Sequence, residues 1–174
     1  MSQKPIKLYR ILKEILTEVG DLKNIVPFEH DLSRGTFTVV YKNIEYRGKV
    51  TFLQLNEKGL EPVKLPPVVD IRRFSTGFNI GYSVEGITSQ FLKGDLKLLL
   101  TILKTVSLIV GDFIGRHPDP LFLIFAESKT GTGYEDSQKL LIYGEVLGKN
   151  IPQGFRIGEM EIAHVTRGLF ICKK

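Results

Sequence analysis

The stretch that decides the fold runs from Gly77 to Lys149. It opens with Phe78-Asn79-Ile80-Gly81-Tyr82-Ser83-Val84 and continues through Gly94-Asp95 into an apolar run ending near Arg116. It then passes to Leu121-Phe122-Leu123-Ile124-Phe125-Ala126, the loop Ser128-Lys129-Thr130-Gly131-Thr132-Gly133, and Gln138 to Gly148. The β-branched and aromatic content of the shorter runs predicts strands, the second over 121–126. The spacing of the longer ones predicts helices over 95–116 and 138–148. Strand, long apolar helix, strand, helix is the order from which α+β and α/β domains are built. The order settles much of the architecture and no activity.

Local chemistry supports these limits. Asp95 can accept from the exposed N–H groups of the first helical turn. Arg116 and His117 suit the negative end of the helix, and Pro118 and Pro120 prevent its continuation. The run Leu121 to Phe125 is uninterrupted, as expected for a strand covered on both faces. The helix itself is nearly long and apolar enough to cross a membrane, but Lys97, Lys104 and Asp112 interrupt it and Asp95 borders it. It is expected to be a helix enclosed by its own protein.

Outward from this unit, residues 5–19 carry Leu8, Leu12, Ile15 and Val19 at helical spacing, with Pro5 near the first turn and Gly20 as a stop. Strands are expected across 35–84: Thr36 to Tyr41, a turn at Lys42-Asn43, then Tyr46 to Leu55 closed by the turn chemistry of Asn56-Glu57-Lys58-Gly59. Pro62, Pro66 and Pro67 exclude an interior strand over 60–68, which reads as an extended surface connection. Strands return over 156–172, as Arg156 to Val165, a turn at Arg167-Gly168, and Leu169 to Cys172. No repeat or linker divides the chain. The expected fold is one α+β domain over 1–174, with a mainly antiparallel sheet and helix 95–116 buried against one face.

Composition narrows function by exclusion. Twenty-four Lys and Arg against nineteen Asp and Glu give +5. The basic residues are spread along the chain, which fits a mildly basic surface better than a nucleic-acid footprint. The weaker alternative, nucleic-acid binding, would use Arg72, Arg73 and Lys49. A single cysteine, Cys172, excludes an internal disulfide and a cysteine metal cluster, and it is expected to be inert. His30, His117 and His164 show no metal-ligand spacing. No charged segment leads into an apolar signal core at the N-terminus, so an intracellular location is expected.

Few motifs carry chemistry. The loop Lys129 to Gly133 could hold a phosphate, with Gly131 and Gly133 as candidate contacts. Its spacing completes neither nucleotide-binding glycine pattern, since Asp136 stands where a third glycine would fall. Glu135 and Asp136 would also oppose an anion, and a flexible surface loop is the expectation. Glu159 and Glu161 alternate on a strand and share a face, where a solvated pair is expected. Tyr9, Tyr41, Tyr46, Tyr82 and Tyr134 read as packing or interface aromatics.

Two resemblances arise from these residues. The order strand, Lys93-Gly94-Asp95, long apolar helix, His117-Pro118-Asp119-Pro120, Leu121 to Ser128, loop, and Leu140-Leu141-Ile142-Tyr143 resembles a group of uncharacterised tailed-bacteriophage proteins. It covers roughly residues 77 to 149. It implies a phage-encoded, virion-associated or accessory protein in the host cytoplasm or the virion, with virion proteins, a host protein or a second copy of itself as partner.

The same order is similar to the C-terminal half of the Gcn5-related N-acetyltransferase fold. That resemblance implies acetyl-coenzyme A as cofactor, with backbone N–H groups near Lys93 and Gly94 at its pyrophosphate. Tyr143 stands near the place of the tyrosine that protonates the departing thiolate. Two departures follow. Gly148 comes one residue later than the usual spacing, and Gln90-Phe91-Leu92-Lys93-Gly94-Asp95 misplaces the loop glycine and ends in an aspartate whose charge opposes the ligand. The expectation is therefore the fold without the reaction: a non-enzymatic protein, with no cofactor, acting through protein–protein contacts.

Overall fold

The computed structural model describes residues 28–30, 34–86, 96–125, 133–162 and 166–174. The helix expected over 5–19, the Gly94-Asp95 cap, and Lys93 and Gly131 lie outside these residues. Eight strands form one sheet. In chain order they are β1 (Phe28–His30), β2 (Arg34–Tyr41), β3 (Ile44–Asn56), β4 (Val63–Lys64), β5 (Thr76–Val84), β6 (Leu121–Phe125), β7 (Phe155–Ile162) and β8 (Thr166–Lys173). The helices are α1 (Glu57–Leu60), α2 (Leu96–Arg116) and α3 (Gly133–Gly148), with a 3-10 turn at Ile71–Arg73.

The strands lie in the order β1-β2-β3-β5-β6-β8-β7-β4. Every neighbouring pair is antiparallel except β5 and β6, which run parallel from Gly77–Leu121 to Ile80–Ile124. A parallel pair needs a crossover, and α2 supplies it. The expected α+β domain with a mainly antiparallel sheet and one buried apolar helix is what the chain forms.

The near-continuous apolar character of α2 has two causes. Leu98, Ile102, Val106, Ile109, Phe113 and Ile114 pack on the sheet, against Val39, Val50, Phe52, Phe78, Phe122 and Ile171. Leu100 and Leu103 face α3 instead, where Val146 meets them. The helix passes a length and hydropathy test for a membrane span, yet two-thirds of that window is buried inside the protein. Its apolar surface is already covered.

The hairpin is as expected. Lys42 and Asn43 have φ of 50° and 62°, the left-handed pair of a two-residue turn whose twist matches the strands. Asn56 closes β3 by accepting from the Gly59 N–H at 3.0 Å, capping α1.

Three expectations are corrected. The proline-bearing stretch over 60–68 is no mere surface connection. Leu60, Val63, Val69 and Phe74 are buried against Leu121, Leu123, Met160, Phe170 and Cys172, so the segment from α1 to the 3-10 turn covers the second face of the sheet. The prolines stop it from becoming an interior strand without preventing it from forming a lid of irregular chain.

Helix α3 begins at Gly133, five positions before the expected Gln138. Glu135 and Asp136 therefore fall in the first described turn of that helix.

Arg167-Gly168 is no turn and lies inside β8. A Cβ at Gly168 would stand 2.5 Å from the Ile124 carbonyl oxygen and 2.5 Å from Met160 Cε. The glycine serves close strand approach, which its sequence neighbourhood mimics as a turn signal.

Candidate functional site

Strand β6 shows why one end of the sheet is distinctive. Leu121 and Leu123 point to the covering segment while Phe122 and Ile124 point to α2, so both faces are dry, as its unbroken apolar run predicts. Its ladder with β5 ends at Ile80–Ile124, whereas β5 continues to Val84 bonded to β3. On the helix side of that end of the described ladder stand two tyrosines.

Tyr82, two residues beyond Ile80 on the same face of β5, meets Tyr143 from α3. Their hydroxyls lie 2.8 Å apart, with ring centres at 6.0 Å and planes at 73°. Ile80, Leu103, Val106, Ile124, Val146 and Leu147 surround them, leaving a cavity of about 20 Å³. That is about the space of one water molecule, and its walls offer nothing else to hydrogen-bond.

Burial pushes both phenols above the usual tyrosine range. The Tyr143 hydroxyl raises Tyr82 further, while the Tyr82 hydroxyl acts in the opposite direction on Tyr143. One hydroxyl donates to the other, and both stay protonated at neutral pH. A phenol held so far from neutrality is a poor general acid unless the pair is opened.

The other sequence candidates are dispersed. Lys93, Gly94 and Gly131 lie outside the described residues, and Gly133 is the first residue of α3. Lys49 pairs with Ser83 in the register and Asn56 with Thr76, so Lys49 stands far along β3 from the turn carrying Arg72 and Arg73. The basic residues expected to form one face are not brought together. Around Lys49 a shallow hollow of about 570 Å³ also holds Arg47, Glu85, Thr36 and Ser83. Arg47 is bonded to Glu45 at 2.7 Å, so the charges there largely cancel.

Glu159 and Glu161 share a face of β7, with Glu161 opposite both Lys64 of β4 and Arg167 of β8. Alternating charge across three strands is favourable pairing on a wet surface. Among the described residues no group of three or more metal-ligating side chains converges. Cys172 is fully covered, and burial pushes its thiol up, away from the reactive thiolate.

Sequence reading took Tyr82 as one packing aromatic among several. Its bond to Tyr143 spans 61 residues, so no local spacing could reveal it. Compared with known proteins, the chain matches no family model, no curated protein and no solved structure.

Proposed function

We propose that the protein works without catalysis, through contacts with other proteins, as a virion-associated or accessory protein of a tailed bacteriophage. The observation that carries this reading is the filled crevice. Beside the end of the described β5–β6 ladder, the Tyr82–Tyr143 pair and the described residues around it leave about 20 Å³, far too little for the arm of a cofactor. The bacteriophage setting rests on the residue pattern between 77 and 149.

A contact surface is available at the tip of the β2–β3 hairpin, which extends past the end of β5. Val40 and Ile44 flank the turn and are 68% and 55% exposed. Apolar side chains on a projecting hairpin are area that a partner can remove from water. A photo-crosslinking residue at Val40, introduced in infected host cells, should give a discrete protein adduct that Glu45→Arg, a change at its cross-strand neighbour on the same face, abolishes. Adducts that ignore Glu45→Arg would contradict the reading.

One observation favours a second reading, an acetyltransferase-like enzyme using acetyl-coenzyme A. β5 and β6 form a parallel pair described as far as Ile80 and Ile124, and Tyr143 stands beside those residues. There Tyr143 would serve as general acid, and N–H groups near Lys93 and Gly94 would hold the pyrophosphate. The tyrosine pair would first have to separate. Stabilisation by acetyl-coenzyme A distinguishes the two readings.

A further inference from the structure

Under the covering segment, the end of the sheet where β8 finishes closes on positive charge. Arg156 of β7 stands opposite Cys172 of β8, on the face that Met160 and Cys172 share beneath that segment. The 3-10 turn brings Arg73 to the same corner. Its Nη2 donates to the Lys173 carbonyl at 3.3 Å, and its guanidinium lies 5.1 Å from the Phe74 ring centre. The register and that hydrogen bond set both guanidiniums beside Cys172, where their charges act against the upward push of burial on its thiol.

Arg156 Nε is buried and has no hydrogen-bond partner among the described residues. Among the described residues no carboxylate pairs with Arg73 or Arg156. Asp70, the acid of this turn, is engaged by Arg72 through two bonds of 3.0 Å.

Neither guanidinium has a carboxylate partner among the described residues, and an enclosed donor without an acceptor carries its full desolvation cost. An anion with several acceptor oxygens relieves both. Planar guanidinium forks match the edge of a phosphate group, and the exposed Lys173 and Lys174 add attraction at longer range. We propose that Arg73 and Arg156 form a binding site for the phosphate group of a small molecule. The site is separate from the tyrosine crevice and does not depend on the proposed function.

The test follows the unfolding midpoint of the full chain during titration with sodium phosphate, against sodium chloride at matched ionic strength. A saturating rise is expected. Arg73→Met, an exposed change that leaves the core intact, should weaken the apparent affinity roughly tenfold or more. Arg156→Lys keeps the charge but loses the fork and should weaken it as well, whereas Lys49→Gln, far along β3, should not. A rise that never saturates, or that persists unchanged in Arg73→Met, is the general effect of an excluded salt and overturns the site. A fluorescent single-stranded oligonucleotide provides the second arm. Salt-sensitive binding to it with no response to phosphate would also overturn the site, and would assign the corner to a nucleic-acid backbone.

Discussion

Replacing Phe113 with alanine would empty a space bounded by four rings. Phe113 is 1% exposed. It stacks on Phe52 at 3.7 Å and on His117 at 4.3 Å, and meets Phe78 and Phe122 edge-on at 5.1 and 6.2 Å. The substitution should cost about 3–5 kcal/mol, read as a lower urea midpoint.

A smaller change makes the opposite error. A Cβ at Gly111 would stand 2.3 Å from the Asn150 carbonyl oxygen, at the point where Asn150 Nδ2 donates to Ser107 Oγ and the Val146 carbonyl. Gly111→Ala should destabilise by about 1–3 kcal/mol through overpacking of α2 against the end of α3.

The tyrosine pair gives a pH signature. Its phenols have folded-state values raised by burial. Their contribution to stability is complete below the unfolded tyrosine value, near about 10. It is lost as pH rises from there toward the folded values, because the unfolded state then releases protons the folded state keeps. Denaturant midpoints should therefore fall above pH ~10, and less steeply in Tyr82→Phe/Tyr143→Phe.

At the scale of elements, the covering segment is the piece that sequence reading missed. Pro62, Pro66 and Pro67 correctly exclude an interior strand, but Leu60, Val63, Val69 and Phe74 follow neither helical nor strand spacing. A lid held by irregular anchors leaves no periodic trace. Phe74→Ala should therefore destabilise by about 3–5 kcal/mol, and it should increase binding of a hydrophobic dye by baring Leu121, Leu123 and Phe170. A surface connection would tolerate the change.

By contrast, α2, β6 and the β2–β3 hairpin were legible because each carries its own local signal. These are an apolar run broken by few charges, a short run apolar throughout, and a two-residue turn between β-branched strands. Gly168 misled because a glycine serving close approach and a glycine serving a turn look the same in sequence.

For the whole molecule, the strand order joins distant pieces: β5 and β6 become neighbours through α2, and β8 inserts between β6 and β7. That order sets β5 beside β6 beneath α2 and α3, and chain topology brings Tyr82 and Tyr143 together there. Tyr143 was legible as a candidate through resemblance. Its engaged, half-buried state was not, because it depends on a partner from another element.

The most direct measurement is thermal unfolding of the full chain with and without millimolar acetyl-coenzyme A. A ligand at about 100 times its dissociation constant adds roughly 2.7 kcal/mol to the native state, a shift of several degrees for a domain of this size. With the crevice closed by its tyrosines, the midpoint should not move. A clear rise, weakened in Tyr143→Phe, would contradict the non-catalytic account and make the crevice a cofactor site that opens on binding.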